Sequence, residues 1–240
     1  MESGVRELTQ TDLAVVTAQK LEDYGVVGAT KDGRRYRYVQ YGSAVTAGNL
    51  VVAPALITNH QNIAVQTAAA AGATSVLVTL GATAATVDQY AEGLLVVGVD
   101  GSGTPVTRKI KGNTSGNSST TITVFLDTKE PLLYALTTSN VVSLSPNIFN
   151  GVTASATAGL PVGISVLTSV INNWGWVQTY GPVGAVNDAA GTLSALGKVK
   201  QSTTVAGAIV ASTVATDVQI GTVIQTTAAS KSGLITLNLD

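Results

Sequence analysis

The sequence predicts a mainly all-β protein built of short-strand barrel or sandwich units, with at most one short helix. Three observations carry that prediction. Val, Ile and Thr recur along the whole chain in short runs, and β-branched side chains fit a pleated surface. Turn signals punctuate those runs at Asp32-Gly33, Asp100-Gly101, Ser102-Gly103 and Asn172-Asn173. The composition is that of a chain with a core: 45% hydrophobic and 11% charged, against about 25% charged in an average soluble protein. Disorder needs the opposite balance.

The elements follow in chain order. Residues 1–23 have weak periodicity and read as an N-terminal arm or short helix. They hold Glu2, Arg6, Glu7 and Asp12 near their start and lack the apolar core of a targeting peptide, so the protein is expected to be made and kept in the cytoplasm. Strands are expected over residues 34–41, 75–80, 94–99, 120–126, 141–144, 163–167, 175–180 and 234–239. Residues 62–71 are the one helix candidate, because Ala is the best helix former and Gly72 sits where a cap would. An Ala-rich stretch also fits a tightly packed β protein, and both readings stand. Residues 112–121 read as a polar loop with nothing to bury.

An internal repeat organises these strands. Tyr36-Arg37-Tyr38-Val39-Gln40 matches Trp174-Gly175-Trp176-Val177-Gln178. Ala73-Thr74-Ser75-Val76 matches Ala215-Thr216-Asp217-Val218, and residues 93–100 match 233–240. The order is the same both times, at near-equal spacing. The chain then divides into an arm (1–23), a first β unit (24–100), an intervening β segment (101–160) and a second β unit repeating the first (161–240). In a strand, residues two apart share a face. Tyr36 and Tyr38 therefore point together, as do Trp174 and Trp176, while Arg35 and Arg37 take the opposite side. These four rings are read as core anchors of the two units, the other reading being an exposed stripe for sugar or base stacking.

Composition and motifs exclude several functions. Net charge is −1 at pH 7, which excludes a globally basic nucleic-acid binder. No stretch approaches the roughly 18 apolar residues of a membrane helix. With no Cys and one His, a Cys/His zinc site and a disulfide framework are out of reach. No Walker A sequence, G-x-G-x-x-G turn, EF-hand loop or G-x-S-x-G elbow occurs. His60 has no carboxylate near it in sequence and reads as structural or exposed, and Ser165 sits in a plain strand pattern. No catalytic residue, metal ligand or cofactor is assigned, and the chain is not expected to be an enzyme. Two basic clusters stand out in a charge-poor chain: Lys31, Arg34, Arg35 and Arg37, then Arg108, Lys109 and Lys111. A solvated face and a contact surface for an acidic protein partner are the readings carried forward for them, with nucleic acid behind both. An under-charged surface on a cytoplasmic protein points to burial against other protein.

Residues Gly33-Arg34-Arg35-Tyr36-Arg37-Tyr38-Val39-Gln40, followed by Val45-Thr46-Ala47-Gly48-Asn49-Leu50-Val51, resemble virion structural proteins of tailed bacteriophages, of the capsid decoration or cement type. Trp174-Gly175-Trp176-Val177-Gln178-Thr179-Tyr180-Gly181 with Ala190-Gly191-Thr192-Leu193 resembles the same theme, as do residues 93–103, 121–133 and 141–147. That resemblance implies small β domains, often trimeric, seated outside a capsid and reinforcing it. It implies the major capsid protein and other copies of the chain as partners, with no catalytic residues. A tail or fibre component and a carbohydrate-binding β module are the alternative expectations.

Overall fold

Alternation of buried and exposed residues along the β-branched runs gives strands wherever the chain can pair. The computed structural model describes residues 4–98 and 105–240. Asp100 and the Gly101–Gly103 turn lie outside the described residues. In chain order the elements are β1 (Arg6–Glu7), α1 (Gln10–Leu13), β2 (Val27–Ala29), β3 (Arg35–Tyr41), β4 (Leu50–Val52), a 3-10 turn (Thr58–His60), β5 (Ile63–Ala64) and β6 (Ser75–Thr79). Next come β7 (Leu94–Val97), β8 (Val106–Asn113), β9 (Thr121–Leu126), β10 (Val141–Ser145), β11 (Asn150–Val152) and β12 (Pro161–Ser165). The chain ends with β13 (Trp174–Val186), β14 (Lys198–Gln201), β15 (Ile209–Ala211), β16 (Gly221–Val223) and β17 (Ser232–Asn238). The protein is almost entirely β, as the sequence predicts.

The compact units are bounded differently from the expected division. One comprises Met1–Pro54 with Ile148–Asp240, and the other is Ala55–Asn147. The discontinuous unit exists because β3 and β13, which the repeat places in separate units, pair with each other. They run antiparallel, with Tyr38 opposite Trp176 and Tyr36 opposite Gln178. The matched segments 93–100 and 233–240 likewise fall in different units, β7 in one and β17 in the other.

In the discontinuous unit the strand order is β1-β2-β3-β13-β17-β16-β14-β15, with β11 on β3, and β12 on β13 and β4. This sheet curls twice. Val52, at the end of β4, bridges Thr153 beside β11, closing β11-β3-β13-β12-β4 around Val39, Tyr41, Val45, Val51, Val152, Val162 and Val177. Asn187, just past β13, bridges Ile209 of β15 and closes the second curl around Leu50, Ile164, Val183, Leu193, Val199, Ile235 and Leu237. The 13-residue β13 serves both curls, with a register shift between Gln178 and Tyr180. There the buried Gln178 amide donates to the Tyr180 and Pro182 carbonyls at 3.1 and 2.8 Å, satisfying acceptors that the shifted ladder leaves open.

The other unit is a six-stranded sheet, β5-β10-β7-β8-β9-β6. It curls until Val65, next to β5, bridges Val78 of β6. Its core holds Val76, Val78, Leu95, Ile110, Ile122, Val124, Val142 and Leu144. Of the two readings of residues 62–71 the β one holds, and no helix forms there. Ile63 and Val65 are buried and Ala64 and Gln66 exposed, a period of two, and Gln66 N–H donates to Leu77 C=O at 2.8 Å. Pairing on both sides outweighs the few tenths of a kcal/mol per residue by which Ala favours helix. Gly72 keeps its positive φ, but in a turn. The loop expected over residues 112–121 is also corrected. Gly112 and Asn113 complete β8, and Asn113 is buried, with its amide donating to Thr86 and Thr114 carbonyls while its oxygen accepts from Tyr90 N–H.

A repeat that the sequence hides runs through both units. Four isolated antiparallel bridges, Val45–Ser169, Ala69–Leu136, Ala85–Gly116 and Leu193–Thr227, each join two loops through reciprocal N–H···O bonds of 2.7–3.0 Å. Three residues past the bridge, φ is positive at Gly48, Gly72, Asp88, Ser119, Asn172, Leu196 and Ser230, in seven of these eight loops. The N–H of the next residue bonds back three residues in seven of the loops, for example Asn49 to Thr46 and Gly197 to Ser194, both at 3.0 Å. Positive φ at the third position of such a turn is the type II geometry. A strand or the approach to one follows each turn.

Candidate functional site

The N-terminal arm is the element that turns the aromatic strands into a site. Thr9 caps α1: its hydroxyl accepts from Asp12 N–H at 3.3 Å, and Asp12 accepts from Thr9 N–H at 2.8 Å. The cap sets the entry angle of a segment that lays Leu8 and Leu13, both buried, against Tyr36, Tyr38 and Trp176. β1 adds to β2 in parallel, and Thr17 bridges Trp174 through reciprocal bonds of 2.9 and 2.8 Å. Leu21 N–H donates to the Tyr38 hydroxyl at 3.1 Å.

All four aromatic residues meet in this one seam. Tyr38 and Trp176 are 3% and 5% exposed, Tyr36 is fully buried, and Trp174 is half-buried at the edge. The Arg6 guanidinium lies 5.9 Å from the Trp176 ring centroid and pairs with Asp12 at 2.7 Å and with Glu22. The Thr9 hydroxyl, Thr9 N–H and Arg6 together hold the Asp12 carboxyl below the ordinary 3.8. Burial pushes the Tyr36 hydroxyl up, against the opposing effect of the neighbouring Arg34. Between arm and stripe lies a cavity of about 190 Å³, walled by Trp174, Trp176 and Tyr38 on the sheet side and by Arg6, Asp12, Val15, Leu21 and Glu22 on the arm side. Trp174 is one of its walls, and its indole N–H, itself shut off from solvent, finds no acceptor among the described residues.

The first basic cluster is largely consumed in local pairs. Arg34 binds Asp32 at 2.8 Å, Lys31 reaches Glu7 at 3.5 Å, and Arg37 binds the Asp240 side chain at 2.8 Å and the Gly25 carbonyl at 2.9 Å. The Thr30 hydroxyl, followed by Arg34, holds the Asp32 carboxyl low. Arg35 lies over the Tyr180 ring at 5.9 Å. The second cluster is in the other compact unit. Arg108 donates to the Pro131 and Thr107 carbonyls, and Lys109 and Lys111 flank the buried Ile110. The seven cations therefore do not belong to one unit.

The remaining chemistry-bearing residues are engaged in hydrogen bonds within the fold. His60 is fully buried. Its Nε2 lies 2.9 Å from the Thr83 carbonyl, which can only accept, so Nε2 carries the proton and Nδ1 accepts from the Tyr90 hydroxyl. Burial pushes the Tyr90 hydroxyl up to about 12. Ser165 donates to the Leu167 carbonyl at 2.7 Å and meets the Tyr41 hydroxyl at 3.0 Å. Asp188 is buried and accepts from Ser202 at 2.7 Å and from Ala190 N–H at 2.7 Å, tying the end of β13 to neighbouring loops. Among the described residues no three His, Cys, Asp or Glu side chains converge on a metal-sized site.

Sequence reasoning handled the arm and the aromatic pairs as separate features and so missed the seam. The capping signature Thr9-Gln10-Thr11-Asp12 beside Leu8 and Leu13 was the available signal for a docked arm. The chain matches no family model, no curated protein and no solved structure.

Proposed function

We propose that the chain is a structural virion protein that seats on the outer surface of a bacteriophage capsid, against the major capsid protein, and stabilises the shell, acting as a homotrimer. The observation that carries the reading is a set of large apolar side chains held in solvent on a charge-poor protein. Leu196 is 85% exposed, Val218 66%, Val87 65% and Leu21 64%. Val87, Leu196 and the pair Val170–Ile171 stand on the type II turns, where the backbone needs no apolar residue. Apolar side chains at rigid turn tips are suited to fitting a partner's surface. Curled sheets with bridged ends and few free edges suit a passive load-bearing part. The burial of Tyr38 and Trp176 weighs against a carbohydrate module that stacks sugars on both aromatic pairs.

The test compares capsid shells with and without bound protein. The protein is expected to co-sediment with shells, and decorated shells to rupture at higher temperature than bare ones. Failure to co-sediment, or rupture at the same temperature, removes the reading. Sedimentation equilibrium of the free protein reads the trimer directly.

A further inference from the structure

We propose that the outer face of the β13–β17–β16–β14 sheet binds an acidic saccharide chain, whose rings lie in the groove beside Tyr180 and whose carboxylates pair with Arg35 and Lys198. Strand register assembles the face. Tyr180 stands opposite Asn238 on one side and Arg35 on the other. One step along, Pro182, Thr236, Thr222 and Lys198 stand opposite one another in a row across the four strands. Their chain neighbours Val183, Leu237, Val223 and Val199 are buried, so the row itself is on the solvent side. The two rows wall a groove of about 410 Å³ through Tyr180, Pro182, Thr222, Thr236 and Asn238. Tyr180 is 43% exposed there.

The unspent chemistry of the face selects the occupant. Cations stand on β3 and β14, at its two sides. Arg37 and Lys200 are each tied to a carboxylate at 2.8 Å, Asp240 and Asp217 respectively. Arg35 and Lys198, both exposed, meet no carboxylate among the described residues, and Arg35 lies 5.9 Å from the Tyr180 ring centroid. The face therefore carries positive charge at both sides that the protein does not neutralise, which complements an anionic ligand. The Tyr180 ring offers an apolar surface to the C–H face of a sugar ring. The Thr222, Thr236 and Asn238 side chains make no hydrogen bond among the described residues, and each can both donate and accept, as sugar hydroxyls require. A peptide fits less well, because the backbone here is paired on both sides and no strand can add as at a sheet edge. Arg35 and Lys198 stand four strand spacings apart, about 19 Å along the sheet, with neutral side chains in the rows between them. Phosphates of a nucleic acid are spaced more closely than that and draw on a file of cations. A polysaccharide with widely spaced carboxylates and hydroxyls between them matches the pattern. The site rests on the chemistry of this face and not on the shell reading.

The test is affinity electrophoresis of the full chain in gels containing hyaluronan, alginate or polygalacturonate, with dextran as the neutral control. Retardation is expected in at least one acidic gel and not in dextran. Arg35→Ala, Lys198→Ala and Tyr180→Ala, all at exposed positions, are each expected to raise the dissociation constant about tenfold with unchanged far-UV circular dichroism. Lys109→Ala removes the same charge from the other compact unit and is expected to bind as wild type does. No retardation in any acidic gel, or equal retardation in dextran, overturns the proposal. So does wild-type binding by Tyr180→Ala, or a loss with Lys109→Ala as large as with Lys198→Ala, which would mean unspecific ionic attraction. Tighter binding of a fluorescent oligothymidylate, with the same dependence on Arg35 and Tyr180, would hand the face to nucleic acid and overturn it too.

Discussion

Tyr38 and Trp176 face each other directly across the β3–β13 ladder, with ring centroids 5.2 Å apart and planes at 65°. The edge-to-face pair is the joint at which the arm, the first part of the chain and its last third are held together, since Leu8 and Leu13 pack on the same rings. An antiparallel neighbour in a buried, aromatic-lined position contributes through area and through ring geometry.

Trp176→Ala is therefore expected to cost about 3–5 kcal/mol of unfolding free energy. In a double-mutant cycle, Tyr38→Leu and Trp176→Leu are expected to couple by about 0.5–1.5 kcal/mol. Denaturant titrations of the four proteins measure both quantities. Additive effects would mean that the rings contribute only as separate apolar surfaces.

His60→Ala is expected to destabilise its unit by about 1–3 kcal/mol, because the buried Tyr90 hydroxyl loses its acceptor and the part-buried Thr83 carbonyl its donor. Amide hydrogen exchange resolves the effect. It is expected at Tyr90 and the strands around it, and uniform protection as in wild type would contradict the structural role.

Leu196 sits at φ 67° with its side chain 85% in solvent. A left-handed backbone costs an L-residue about 1–2 kcal/mol, and little burial offsets it here. Leu196→Gly is expected to raise the melting temperature while weakening any contact that the turn tip makes. Gly48→Val in the equivalent turn, at φ 85° and with the Val186 side chain 3.4 Å from a new Cβ, is expected to lower it.

The arm is expected to loosen in acid. The folded protein holds Asp12 below 3.8, so the stabilisation from Thr9 and Arg6 is present above that pH and is lost as pH falls through the lowered value. Asp32 and Asp217, also held low by Thr30 and Lys200 respectively, titrate in the same sense. Tryptophan fluorescence should change below about pH 4 as the arm leaves the seam. Asp12→Asn should show a loosened arm already at neutral pH and a smaller acid step. An acid transition unaffected by that substitution would place the sensitive group elsewhere.

The alternation of β-branched and polar residues by itself determined that the chain is β, and residue parity determined that Tyr36 shares a face with Tyr38 and Trp174 with Trp176. Those properties are local, because a pleated backbone turns successive side chains to opposite faces whatever the strand's neighbour. Which strand lies beside which was decided only by tertiary structure. The likeness between residues 36–40 and 174–178 reads as a duplicated unit, yet Tyr38 and Trp176 stand opposite each other in one sheet. The Ala-rich stretch 62–71 had its helical preference overridden by pairing with β10 and Val78. Only three of the bridged turns share a side-chain pattern, a Thr whose N–H donates to an Asn or Gln side chain three residues on (Thr46–Asn49, Thr86–Gln89, Thr137–Asn140), while what recurs more widely is a backbone conformation that Gly, Asn, Ser, Asp and Leu all adopt. The pocket was hidden for the same reason. Leu21, Arg6 and Trp174 are distant in sequence, and only the docking of the arm on β13 brings them around one cavity.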